Sequence, residues 1–310
     1  LWVASGVSGL MLYRVVERKQ AAEAVPAAAP QVAAPASAGP AKERDAVDDA
    51  RIAARAKVEQ GAFDAAIEAL DAALTLHGDP RLKEDLVQVL CRAASAALDD
   101  GRLARAFRYA DRAFALAPEN ALVKKLLAEV LRRQAEEQSP DRARESLERA
   151  TTVEPENAHA WMELAKLCEQ ENDLQCAIAA LDALSNTKHG SHIEGLADKK
   201  RSLEKQHRVE VDFDGVRTEH FVARFEGYGN EQMAWRVLNT LERAYFGVSE
   251  RLGREPNERI TVVIYTGAQY REALNAPDWS GGFYDGKIRV REGDLAAGNG
   301  RLESVLTHEY

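Results

Sequence analysis

GAFDAAIEALDAAL, Gly61 to Leu74, returns as GRLARAFRYADRAF, Gly101 to Phe114, with Pro118 behind it. A third copy places Ala143, Leu147 and Ala150 in the same register and is followed by Pro155. In a fourth, Trp161, Leu164 and Ala165 occupy one helix and Ala177, Leu181 and Leu184 the next. Ala143 to Ala177 spans 34 residues, whereas Ala66 to Ala106 spans 40 and Ala106 to Ala143 spans 37, so the earlier copies carry insertions in their first helices or turns. The pattern has a physical meaning. Alanine at the close-approach positions lets the two helices of a hairpin touch. Larger apolar residues three and four places away fill the space to the next hairpin, and proline stops each pair. Residues 48–207 are therefore predicted to form a helix-pair solenoid rather than a plain bundle. Glu194 to His207 reads as a final charged helix that caps it.

This register resembles the tetratricopeptide repeat family, which implies antiparallel helix pairs with a concave face for protein or peptide partners. Which residues grip a partner is left open. Arg51, Arg55, Lys57, Arg92, Lys124, Lys125, Arg132 and Arg133 fall on this stretch but are mixed with acids, the pattern of a solvated face. The repeats could equally pack against the domain that follows. The formal net charge of −9 does not suggest a nucleic-acid partner. Cys91, Cys168 and Cys176 cannot all pair within one chain. Two lie on repeat-like helices where a small apolar residue is wanted, so buried free thiols are expected rather than a disulfide. His189 and His192 flank a Gly-Ser that reads as a loop with no carboxylate or cysteine cluster beside it, and no metal role is expected there.

Ahead of the repeats, Leu1 to Tyr13 contains no charge, and Arg14, Arg18 and Lys19 follow. A spanning helix needs about 20 apolar residues. Residues 1–16 read as the remnant of a membrane anchor, with a signal-peptide core or a short buried helix as alternatives, in a chain read as cut at both ends. The basic flank complicates orientation, since it favours the cytoplasmic side unless more charge precedes Leu1. Residues 17–47 read as a linker. Gln20 to Pro40 is almost entirely alanine and proline, a tether of at most about 65 Å at about 3.1 Å per residue, or a disordered tail. The expected location is the bacterial cell envelope, membrane-anchored and on the periplasmic side.

At about Arg208 the period becomes alternating, with Val209, Val211 and Phe213 set against Glu210 and Asp212. Asp214-Gly215 reads as a hairpin turn and His220 to Phe225 as the returning strand. Asn230 to Leu252 reads as an amphipathic helix with Met233, Val237, Leu241, Tyr245 and Val248 on one face, stopped by Gly253 and Pro256. Ile260 to Tyr265 reads as a buried strand and Tyr270 to Leu274 as a short helix. Gly282–Tyr284 and Lys287–Val290 flank a tight turn at Asp285-Gly286, and Arg301 to Tyr310 opens another helix.

From about residue 217 the chain resembles the N-terminal part of the peptidase MA-like family, gluzincin-type metallopeptidase domains often found behind tetratricopeptide repeats. The resembling segments are His220–Phe225, Ile260–Tyr265, Trp279–Val290 and Glu303–Tyr310. The resemblance implies a mainly α chain, a tetratricopeptide helix-pair solenoid followed at 208–310 by the start of an α+β zincin-like domain. His308 and Glu309 would open a His-Glu-x-x-His helix, His308 as a Zn2+ ligand and Glu309 as the base toward zinc-bound water. The second histidine would fall two positions past Tyr310. A substrate backbone would pair near Phe283 to Val290. One histidine is not a zinc site, so this stretch is expected to be inactive by itself. The whole protein is expected to be a membrane-tethered zinc metallopeptidase with protein-binding repeats. The alternative is a non-catalytic interaction scaffold with a degenerate peptidase domain.

Overall fold

Helical hairpins stack in chain order: α1 (Pro40–Glu59) with α2 (Phe63–His77), α3 (Pro80–Asp99) with α4 (Leu103–Leu116), α5 (Ala121–Ala135) with α6 (Pro140–Val153), and α7 (Ala158–Gln170) with α8 (Leu174–Asn186). A 3-10 turn at Gly190–His192 leads to α9 (Leu196–Glu210), which packs on α8. The structure, a computed structural model, describes residues 40–227, 230–253, 259–274 and 282–296. The chain divides between Arg44 and Asp45, and the folded body lies in the second unit, Asp45–Tyr310. Among the described residues no helix is long and apolar enough to cross a membrane, and the predicted anchor segment lies outside them.

The repeated small residues do what their register predicts. Ala66, Ala106, Ala110, Ala113, Ala150 and Ala177 are wholly buried, because a methyl group is all the helix–helix gap admits. The turns share one geometry as well. Gly61 and Gly101 take φ of +75° and +71°, and the next amide reaches back five residues, Ala62 N–H to the Lys57 carbonyl and Arg102 N–H to the Ala97 carbonyl. That is the left-handed helix stop glycine favours. The α7–α8 turn closes in the same way, Asp173 N–H donating to the Cys168 carbonyl, but with Asn172 at φ 60° in glycine's place. At the start of the following first helices Asp79, Asn120 and Asn157 cap orphan amides with their side chains.

Ion pairs stitch neighbouring repeats on both helix rows. Along the first helices run Arg51–Asp85 at 2.5 Å, Arg132–Glu163 at 2.6 Å and Lys199–Glu169 at 2.5 Å. Along the second run Arg105–Asp64, Arg112–Asp71 and Arg149–Asp111. Several charges expected to be solvated are thus spent between repeats.

The expectation of free thiols fails for two of the three cysteines. Cys168 in the last turn of α7 and Cys176 in the first turn of α8 form a disulfide, their Cα atoms 5.7 Å apart. The two positions read as small-residue sites on separate helices, but the hairpin turn brings them face to face. Cys91 remains a free thiol, and burial pushes its pKa up.

The described strands form one mixed sheet ordered β1-β2-β3-β5-β4, with β1 (Phe213–Arg217), β2 (Phe221–Glu226), β3 (Ile260–Tyr265), β4 (Gly282–Tyr284) and β5 (Ile288–Arg291). β2, β3 and β5 run parallel, and β1 and β4 are antiparallel edges. Helix α10 (Glu231–Leu252) covers one face through Val237, Leu238, Leu241 and Tyr245, while α11 (Gly267–Leu274) packs against α9. His220 is fastened to α10, its Nδ1 2.7 Å from Glu242 Oε2 and its ring stacked on Tyr245. A short α12 (Glu292–Ala296) follows β5. Two local readings are corrected. The alternation at 208–211 belongs to the end of α9, which runs to Glu210 because the Glu210 side chain is drawn into a buried network. Asp214-Gly215 lies inside β1, where Gly215 faces Arg224, and the chain reverses instead at Thr218–His220. The strand pairing expected of a substrate near Phe283–Val290 is open only at β4, since β5 has β3 on one side and β4 on the other.

Candidate binding surface and the buried junction

Two clefts of the repeat array adjoin each other. The larger, about 910 Å³, lies between α5, the start of α7 and the loop after α8, and includes Lys125, His159, Met162, Lys188, His189 and Ile193. The smaller, about 410 Å³, continues between α7, α8 and α9 and shares Met162 and Ile193 with the first. Met162, 42% exposed, is thus an apolar ridge common to both.

The electrostatics of the larger cleft follow from which charges are already engaged. Arg132 donates to Glu129, Glu136 and Glu163, and Arg133 adds a second cation to Glu129. The Arg132 hydrogen bond holds the Glu129 carboxyl below the usual carboxylate range. Glu156 accepts the backbone N–H of Lys188 at 3.1 Å. Lys125, His159, Lys188 and His189 form no ion pair with a described carboxylate. The cleft therefore presents these donors beside an apolar ridge, together with the carboxylates of Glu154 and Glu156, while its third acid, Glu129, is already paired with Arg132 and Arg133. Among the basic residues singled out on sequence, Lys125 faces this cleft, Arg51, Lys124, Arg132 and Arg133 are tied up in ion pairs, and Lys57 donates to the Ala65 carbonyl. His159, Lys188 and His189 were not anticipated as a set, because the first turn of α7 and the loop after α8 that bring them together put His159 and Lys188 29 residues apart in the chain.

A second cluster joins the repeats to the sheet. Arg289, 1% exposed on β5, donates through Nη1 to Tyr265 Oη at 2.6 Å, through Nη2 to Gln206 Oε1 at 2.9 Å and through Nε to Asp285 at 3.0 Å. Tyr265 donates to Glu210, itself 2% exposed. Glu210 also accepts from Asn172 Nδ2 at 3.1 Å, and Asn172 Oδ1 accepts from Lys287 Nζ at 2.5 Å. Burial first and the Glu210 charge second push the Tyr265 phenol above its usual range. Nothing in the sequence says that the side of the sheet carrying Arg289 is covered by α9 and the α7–α8 turn.

Burial and then the adjacent Arg289 charge push Lys287 down to about 8, against Glu210, Glu169 and Asp285, which pull it up. A base lowered in the folded state carries its full penalty below that pH. Between about 8 and its ordinary 10.5 the unfolded chain binds more protons, so folding stability rises with pH. Wild type is therefore expected to gain about 2 kcal/mol relative to Lys287→Met between pH 7 and pH 9.5. Urea denaturation of both proteins at the two pH values measures it, and parallel pH profiles would contradict the burial argument.

The predicted zinc ligand His308 and base Glu309 lie outside the described residues. Among the described residues no group of three or more His, Cys, Asp or Glu is placed to hold a metal ion.

The tetratricopeptide repeat family profile matches residues 134–187, from the end of α5 through α8. No curated protein matches the chain. Among solved structures, the crystal structure of MamA protein is 19% identical with a TM-score of 0.32, covering 52% of this chain and 90% of that one. MamA 41-end from Desulfovibrio magneticus RS-1 is 18% identical with a TM-score of 0.30, covering 52% and 90%. The helix pairs that include this matched stretch are followed by a small mixed sheet.

Proposed function

We propose that this chain is a protein-binding scaffold that holds an acidic, partly apolar segment of a partner in the cleft between α5, α7 and the loop after α8. The observation that carries the reading is the set Lys125, His159, Lys188 and His189, without carboxylate partners among the described residues, around the exposed Met162. Carboxylates on the partner would meet the free donors, and an apolar side chain would cover Met162 and Ile193. Two fluorescent peptides test it, one alternating leucine with glutamate and one alternating leucine with lysine. The acidic peptide is expected to bind at least about tenfold more tightly, and the double variant Lys125→Glu, Lys188→Glu to abolish most of that preference. Equal binding of both peptides, or an unaltered preference in the variant, would overturn the reading.

A second reading is favoured by the antiparallel edge strand β4 that closes the sheet beside β5. On this reading the strand stands ahead of a zinc-binding helix, and the chain would be part of a zinc metallopeptidase with His308 as ligand and Glu309 as base. The described residues do not by themselves supply a zinc site. Elemental analysis of the longest natural chain decides this reading: about one zinc per chain, lost in His308→Ala, supports it, and a zinc-free protein sinks it. We also place the folded chain in an oxidising compartment of the cell envelope, a reading the Cys168–Cys176 disulfide supports.

A further inference from the structure

The α7–α8 turn differs from its two counterparts in ways that belong together. It has Asn172 where they have glycine, so a side chain occupies a left-handed position that costs about 1 kcal/mol or more outside glycine. It is enclosed by a disulfide, Cys168 and Cys176 being four residues to either side of Asn172. Among the described residues it also reaches the sheet through a side chain: Asn172 accepts from Lys287 in the β4–β5 turn, 115 residues away in sequence, while donating to Glu210 at the end of α9. Glycine at this place would close the turn equally well and make neither bond. From the other side, Arg144 of α6 pairs with Glu171 at 2.5 Å and with Asp173 at 2.9 Å.

We propose that this turn is the docking site of the repeat array for the β4–β5 hairpin, and that the Cys168–Cys176 disulfide is a latch that holds the site in its docking conformation. With the disulfide formed, the ends of α7 and α8 are clamped and Asn172 is held where Oδ1 meets Lys287 and Nδ2 meets Glu210. A dithiol reductant opens the latch. One reductant thiolate attacks a cysteine sulfur and displaces the other as a thiolate, which takes up a proton. The second reductant thiol then closes the reductant's own disulfide and releases the second cysteine, so two electrons pass from the dithiol to the protein. The turn is then free to relax the Asn172 backbone, and the Lys287 and Glu210 bonds to it weaken. The remaining anchors of the sheet, Arg289 to Gln206 and Tyr265 to Glu210, stay in place, so reduction loosens the hairpin without releasing the domain.

Amide hydrogen exchange on the whole chain, with and without dithiothreitol, tests this. Reduction is expected to raise exchange at residues 285–291 and at the end of α9 about tenfold, the loss of roughly one charge-assisted hydrogen bond, with α1–α4 within twofold. A double variant Cys168→Ser, Cys176→Ser is expected to behave as the reduced protein and to be indifferent to dithiothreitol. Asn172→Gly, which keeps the left-handed turn and removes both side-chain bonds, separates docking from simple loss of repeat stability. With its disulfide intact it is expected to raise exchange at 285–291 while α7 and α8 stay protected. Unchanged protection of 285–291 on reduction, or in Asn172→Gly, would overturn the proposal.

Discussion

Arg289→Met is expected to lower the unfolding free energy of the sheet half by about 3–5 kcal/mol. Its guanidinium is 1% exposed and serves three partners at once, Tyr265, Gln206 and Asp285, with Glu210 Oε1 at 3.4 Å from Nη1. Removing it strands the Glu210 carboxylate, 2% exposed, with Tyr265 and Asn172 as its remaining donors. The loss comes from an uncompensated buried charge more than from the bonds themselves. Adding Glu210→Gln to Arg289→Met is therefore expected to restore part of the stability, so that the double variant loses less than the two single losses combined. Arg289→Lys keeps the charge but not the fork that reaches several acceptors, and is expected to recover less than half. Guanidinium denaturation followed by the fluorescence of Trp235 on α10 reads the transition. A loss below about 1 kcal/mol in Arg289→Met would show that the junction is solvated rather than buried.

Leu127→Ala is expected to destabilise the repeat array by about 3–5 kcal/mol. Leu127 is wholly buried in a cluster that is otherwise rich in alanine, including Ala94, Ala97, Ala106, Ala110, Ala128, Ala150 and Ala160. A methyl side chain has no rotamer to swing into a void, so the cavity left by the leucine stays open and its walls lose their contacts. The same truncation at Leu122, in the same helix but 74% exposed, is expected to change stability by less than about 0.5 kcal/mol. Helical circular dichroism during thermal and urea unfolding measures both. Equal effects at the two positions would mean that the second and third repeats do not share the core described.

Much of this fold was legible because it is local. A glycine, an alanine four or five places on and a proline behind the second helix specify a hairpin within about 35 residues, and the strand at Ile260–Tyr265 and the helix ending at Gly253 carry their own signals. Cysteine pairing was not legible, since periodicity says which helix face a residue lies on and not which face it meets. The strand expected at Val209–Phe213 misread the end of α9, where an acid in an apolar alternation was buried by partners more than 50 residues away.

By itself the sequence determined the stacked helix pairs, the helix stops and the hairpin at Asp285-Gly286, because each depends on backbone preferences and spacings within one or two turns of chain. Tertiary structure alone decided which charges are free. Lys125 and Arg132 look alike as letters seven apart, yet one faces a cleft and the other is held by three glutamates. It also decided that Asn172, Glu210, Lys287 and Arg289 form one buried network, since a charge is costly or useful only according to what surrounds it once water has been removed.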